Sequence, residues 1–270
     1  MIVHFLGTAA FEGIPSLFCK CDTCQQARAR GGKNIRTRTS VIIDEVLKVD
    51  FPPDSCHHAI RDQIDMDKIQ DLIITHSHSD HLYAEDLVIR MPGYAQSEEH
   101  QIQIYGHDMP IRHCIQQLGA NALQKFKLQV VRPFERVEMQ TANIVPLPAD
   151  HDKSETCLLY YIERNGKTVF YGHDSGWFPE ATWEWLKGCK LDLAILECTV
   201  GHAEYRNNHM SVDAVLETRE WLLANDVLKA DGKIVVTHFS HNAHLLHEDL
   251  EAIFAPHHIM VAYDGMKLEL

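Results

Sequence analysis

Seven residues, THSHSDH from Thr75 to His81, follow directly on an apolar run at 72–74. A strand that runs into three imidazoles and a carboxylate has given its next loop to groups that neither fill a core nor continue a sheet. Any fold built on this chain must therefore deliver that loop to a place where such donors are used. Two histidines in a polar turn need no explanation. His76, His78, Asp80 and His81 within six residues do, because imidazole is the commonest metal ligand and carboxylate oxygen is a frequent companion. The arrangement recurs in looser form after other apolar runs: His151 after 144–147, Asp174 after 168–171, and His238 with His241 after 234–237. Loops at strand ends are where a sheet scaffold carries its chemistry, so donors distant in sequence can meet there. Five imidazoles and two carboxylates are too many for one tetrahedral zinc and suit two ions sharing a carboxylate.

The elements that would support such loops are visible in the periodicity. Short β-branched runs predict strands over 2–6, 40–43, 72–75, 102–105, 144–147, 158–162, 168–171, 191–196, 234–237 and 259–263. Several are almost wholly apolar, as strands covered on both faces are. Helical spacing falls between them at 24–30, 82–90, 109–117, 212–224 and 243–254, with Ser211 as a cap for the fourth. Interleaved strands and helices give an α/β or layered α+β fold. No repeat, low-complexity tract or Gly/Ser linker divides the chain, so 1–270 is expected to form a single domain.

Composition narrows the chemistry further. A formal charge of −13 argues against broad capture of nucleic acid, which is held chiefly by Lys and Arg on its phosphates. Histidine, at 19, nearly rivals Lys plus Arg at 25, and this leans toward metal. No apolar run approaches the roughly 18 residues of a membrane span, and no basic leader precedes the first apolar segment; a cytoplasmic protein is expected. In such a compartment the eight cysteines are metal ligands or buried thiols rather than disulfides. Cys56, Cys114, Cys157, Cys189 and Cys198 read as small buried hydrophobes. Cys19, Cys21 and Cys24 form C-x-C-x2-C, a spacing open to redox, metal-binding or accidental readings. Three thiolates lack one ligand for a closed tetrahedral zinc, and His241 is the candidate; a solvent-facing histidine is the alternative.

The order H-x-H-x-D-H, then a distant His, Asp and His, resembles the metallo-β-lactamase superfamily. The cysteine spacing with His238 and His241, the opening FLGTAAFEGIP, the stretch GGKNIRTRTS and the HMS before a helix resemble its PhnP-like phosphodiesterases. The resemblance implies an αββα four-layer sandwich. It assigns His76, His78 and His151 to one active-site ion and Asp80, His81 and His238 to a second, with Asp174 bridging; His173 beside it is a near rival, read as packing or as support behind the ligands. The two ions would be Mn²⁺ or Zn²⁺, with Fe²⁺ also acceptable to these donors, and Cys19, Cys21, Cys24 and His241, the zinc-binding loop at 19–24 and its partner, would hold a structural Zn²⁺.

The implied activity is hydrolysis of a small phosphorylated substrate, a cyclic or diester phosphate such as phosphoribosyl 1,2-cyclic phosphate. Asp80 and His209 are the candidate catalytic residues. His209 lies two residues before the Ser211 cap, where it can meet a phosphate and protonate the leaving alkoxide; a plain loop histidine is the alternative. Arg36 and Arg38 are candidates for phosphate binding or ordinary surface arginines, and Glu197 for a carboxylate behind the ligands. Rival readings are a ribonuclease Z, for which no basic Gly-rich arm is present, a lactonase or thioester hydrolase, and a non-catalytic metabolite binder. The last should have lost ligands first, and all seven remain. Trp177, Phe178, Trp183 and Trp185 suit either a homodimer face or packing within the domain.

Overall fold

The computed structural model describes residues 1–97, 99–119 and 124–270. Strands β1 (Ile2–Gly7), β2 (Ser40–Ile43), β3 (Leu47–Val49), β4 (Asp71–Ile73), β5 (Ile102–Gly106) and β6 (Phe126–Val130) build one sheet. Strands β7 (Val137–Glu138), β8 (Asn143–Pro148), β9 (Leu158–Arg164), β10 (Lys167–Gly172), β11 (Leu191–Glu197), β12 (Leu228–Thr237) and β13 (Ile259–Val261) build the other. Strand β14 (Met266–Glu269) returns to pair with β1 and completes two seven-stranded sheets.

Strand alternation sorts the apolar residues into layers. Val41 and Ile43 of β2 face inward with Leu193 and Ile195 of β11, in a core shared by both sheets. Ile42 faces outward with Leu72 and Ile104, beneath Ile111, Cys114 and Leu118 of helix α3 (Asp108–Leu118). Ala194 and Leu196 face the opposite way, beneath helices α4 (Glu180–Leu186), α5 (Val212–Ala224) and α6 (His247–Phe254). The result is helices, sheet, sheet, helices, the four layers expected. Between the sheets, the Tyr160 hydroxyl donates to the Ile74 carbonyl at 2.8 Å and ties β9 to the end of β4.

Strand direction places the loops. Strands β3, β4, β5 and β6 run parallel, and two antiparallel steps through β2 give β1 the same direction. Strands β10, β11, β12 and β13 run parallel, and two antiparallel steps through β9 align β8 with them. In each sheet, the donor-bearing loops thus leave from one common edge.

All ten expected strands are present, the one at 40–43 with the expected ends and the others with shifted ones, and the unexpected strands are short or charged. Strand β3 has Lys48 at its centre, β7 spans two residues, and β6 and β14 carry a lysine at their second position. The helix expected over 82–90 is a 3₁₀ segment at Ala84–Arg90. That expected over 243–254 starts only at His247, because His244 takes a left-handed conformation that ends a 3₁₀ turn at His241–Ala243. Helix α2 (Ser55–Asp62), polar in sequence, and α4 were not expected. Trp183 is buried against Phe178, Trp177 and Trp221, so this aromatic group packs within the protein. No helix among the described residues is long and apolar enough to cross a membrane.

Candidate metal centre and active site

The five strand-end histidines share one arrangement: one ring nitrogen is tied to the protein and the other turns to a common centre. His81 Nδ1 lies 2.7 Å from Asp50 Oδ2, and Asp50 also accepts from the Thr75 amide at 2.8 Å. The Thr75 hydroxyl, itself on Asp50, sits 3.0 Å from His76 Nδ1. His78 is turned the other way, with Nε2 on Asp152 at 3.0 Å. His151 Nδ1 meets the Asn208 carbonyl at 3.0 Å, and His238 Nδ1 meets the Thr199 hydroxyl at 2.8 Å. Such outer partners select the tautomer and aim the free nitrogen. His238 is held at a φ of 57°, a conformation that costs a non-glycine residue about 1 kcal/mol or more and is found where geometry is constrained by function.

The free nitrogens crowd together. His76 Nε2 and His151 Nε2 lie 2.9 and 3.2 Å from His78 Nδ1. Asp174 Oδ2 is 3.1 Å from His81 Nε2 and 3.8 Å from His151 Nε2, and its Oδ1 is 3.0 Å from His238 Nε2. Asp80 Oδ2 is 3.4 Å from His81 Nε2 and 3.8 Å from His238 Nε2. Asp174 Oδ1 and His238 Nε2 are buried, yet neither has an aligned hydrogen-bond partner. Buried polar atoms without partners are costly, and a cation between these donors would satisfy them.

The electrostatics agree. Burial drives His76 and His151 below the ordinary imidazole range. Against burial, His238 and His81 hold Asp174 well below the usual carboxylate range, and His81 and His238 do the same for Asp80. The same attractions, chiefly from Asp174, overcome burial to raise His81 and carry His238 up to about 10. Protons on imidazole thus stand where a divalent ion would place positive charge, and the donor set fits such ions.

These donors open on a cavity of about 410 Å³ lined by His78, Asp80, His151, Asp174 and His238, together with Phe11, Glu12, Thr199 and His209. His209 Nδ1 lies 3.0 Å from both oxygens of Glu197, which is fully buried and also accepts from the Ser175 amide at 2.7 Å. Burial works against the imidazolium, but Glu197 prevails and raises the His209 pKa. The segment carrying His209 presses on the Asp174 loop: a Cβ at Gly176 would lie 2.1 Å from the Arg206 carbonyl, so only glycine allows the approach.

A second cluster sits beside the cavity. Cys21 caps helix α1 (Asp22–Arg30), and His241 Nδ1 lies 3.5 and 3.7 Å from the sulfurs of Cys21 and Cys19. Each sulfur receives a backbone amide: Cys19 from Cys21, Cys21 from Cys24, Cys24 from Ser16. The Cys24 amide is the main cause holding the Cys21 thiol down to about 6, whereas burial pushes Cys24 up to about 11. The four ligand atoms lie within 4.8 Å of one another.

Two expected site residues are elsewhere. Arg36 is buried, donating to the Thr8 hydroxyl and the Ala262 carbonyl at 2.7 Å and facing His247 at 2.9 Å, which leaves it no path to a phosphate. Arg38 is turned onto Asp54 at 3.1 Å and the Phe11 carbonyl at 3.1 Å, so it braces the cavity rim rather than lining it. His173 packs its ring 4.1 Å from that of Tyr171, behind Asp174. Sequence reasoning missed Asp50, Thr75, Asp152, Thr199 and Glu12. Asp50 carried the usable signal, an acid at the end of the apolar run preceding it, but β3 is too short to stand out.

The chain belongs to the β-lactamase superfamily domain family, whose model matches 41–239 and so takes in His76, His78, Asp80, His81, His151, Asp174 and His238 but not the cysteine cluster with His241. A crystal structure of a diphosphatase from the PhnP family superposes with a TM-score of 0.75 at 25% identity, covering 100% of this chain and 97% of that one. Zn²⁺-bound PqqB from Methylobacterium extorquens gives 0.79 at 19% identity, covering 100% of both chains. Human tRNase Z, short form, gives 0.68 at 16%, covering 100% of this chain and 99% of that one. The last two show the shared fold. A search of curated proteins by sequence found no match.

Proposed function

We propose that this chain is a metal-dependent phosphodiesterase of small substrates, with two divalent ions held by the strand-end donors. The convergence of five individually oriented imidazoles and two carboxylates on one centre, which His78, His151, His238, Asp80 and Asp174 open to a cavity, carries the reading. His76, His78 and His151 would hold one ion, Asp80, His81 and His238 the other, with Asp174 between them; Mn²⁺ and Zn²⁺ suit the donors, and Fe²⁺ is compatible. Bound there, the ions would supply Lewis acidity toward a phosphoryl oxygen and a water that ionises near neutrality. Cys19, Cys21, Cys24 and His241 would hold a structural Zn²⁺, fastening the segment after β1 to the loop after β12.

The rest of the chemistry belongs to side chains. Glu197 fixes His209 through Nδ1, leaves Nε2 for the cavity and favours the protonated ring, so that His209 can hand a proton to the departing alkoxide. Asp80 brings its charge beside the inward nitrogens of His81 and His238, which Asp50 and Thr199 aim. The cysteine cluster and the 25% identical PhnP-family diphosphatase support placing the chain near that subgroup.

The test is hydrolysis of bis(p-nitrophenyl) phosphate by purified protein supplied with Mn²⁺ or Zn²⁺. His76→Ala should abolish turnover while the fold persists by circular dichroism. Turnover of a lactone with none of the diester would overturn the reaction assigned here.

A further inference from the structure

The segment after β1 contributes Ala10, Phe11 and Glu12 to the cavity wall. It is tied at several points: the Ala10 amide donates to the Phe239 carbonyl at 3.0 Å, and Arg38 holds the Phe11 carbonyl from its anchor on Asp54. Glu12 is fixed by one oxygen. Its Oε1 accepts from the Ser240 hydroxyl and lies 3.7 Å from His241 Nε2, the ring nitrogen facing away from the cysteines. Its Oε2 takes no hydrogen bond or ion pair among the described residues. The wall therefore presents an oriented carboxylate with acceptor capacity to spare, next to Phe11, a residue that is 61% exposed.

What the cavity lacks is equally informative. Among the described residues, no lysine or arginine lines it, and Arg36 and Arg38 are committed elsewhere. One phosphate can be met by the metal centre and His209; a second beside Glu12 would find no lysine or arginine to pair it.

We infer that Glu12 selects the organic part of the substrate, accepting a hydrogen bond from a hydroxyl or amino group and turning away a substrate with a second phosphate. This rests on the phosphodiester reading above and narrows it. Phosphoribosyl 1,2-cyclic phosphate, with its additional phosphate, is disfavoured; a diester whose organic part bears donors is preferred. The physical basis is the asymmetry of a polar wall: a donor satisfies Glu12 Oε2, whereas a like charge beside it is repelled.

The experiment compares two esters with one leaving group: thymidine 5′-(p-nitrophenyl phosphate), with a free 3′-hydroxyl, and the same compound carrying a 3′-phosphate. The native protein should favour the 3′-hydroxyl ester by about tenfold or more in kcat/KM, mostly through KM. Glu12→Gln, checked for native melting temperature and metal content, should bring that ratio to about one. A ratio that survives Glu12→Gln, both esters declining together, overturns the inference, since a merely structural role moves both alike.

Calorimetry on the metal-loaded protein adds a readout free of turnover. Thymidine 5′-phosphate should bind more tightly than thymidine 3′,5′-bisphosphate to the native protein, and Glu12→Gln should remove the difference. If neither ester is hydrolysed, the reaction class fails and this binding comparison alone decides the role of Glu12: a lost preference upholds it, and a retained or absent preference overturns it.

Discussion

Asp50→Asn isolates what the outer hydrogen bonds do for the centre. Asp50 is fully buried and accepts from the Thr75 amide, the Thr75 hydroxyl and His81 Nδ1, the last at 2.7 Å. Asparagine keeps the shape and one acceptor. With its oxygen on the Thr75 amide, its NH₂ faces His81 Nδ1, which must then accept; the imidazole proton moves to Nε2, the nitrogen that points at Asp174. A ring protonated there cannot ligate. Hydrogen bonds to charged groups contribute about 1.5–3 kcal/mol, and loss of such an outer partner lowers metal affinity about 10- to 100-fold. The two figures agree, because tenfold in affinity corresponds to about 1.4 kcal/mol. The assay is chelator competition on the metal-loaded protein, with melting of the metal-free form as a control for folding. One equivalent at the proposed paired site should weaken by that amount, while an ion held by His76, His78 and His151 should be less affected. Native affinity for both ions in a folded Asp50→Asn protein would refute the claim that Asp50 sets the His81 tautomer.

Three further outcomes follow from the same geometry. In Glu197→Gln, burial is left without its counterweight and the His209 pKa falls; since the acid form is lost as pH rises through that pKa, the alkaline limb of the rate profile should move to lower pH. Stopped-time assays across pH check this, and an unmoved limb would remove His209 as the acid. Cys21→Ser should cost about one zinc equivalent by elemental analysis with the paired site retained; unchanged zinc content would deny the cluster its metal. Tyr160→Phe removes the donor to the Ile74 carbonyl and should lower unfolding free energy by about 1–2 kcal/mol, with metal content unchanged, as read by denaturant titration.

The strands and the metal-type donors were legible because both are local patterns. The almost wholly apolar runs at 40–43 and 191–196 already mark strands covered on both faces, and the donors after 72–74, 144–147, 168–171 and 234–237 stand out against the apolar runs they follow. Three-residue β3 and two-residue β7 fell below that signal, since a run needs length to show.

The aim of each donor is another matter. His81 is oriented by Asp50, His78 by Asp152, His238 by Thr199, and His151 by a carbonyl at Asn208, partners that lie 31, 74, 39 and 57 positions away. The arginines met the same limit. Arg36 carries a charge that reads as a surface phosphate contact, yet Thr8, Ala262 and His247 close around it only once the chain has folded. Residue type and strand period are properties of neighbours along the chain and so determined the class of chemistry. Which nitrogen faces the centre, which cation is withdrawn, and that Glu12 stands in the wall depend on hydrogen bonds and packing between distant segments, which exist only in the tertiary structure.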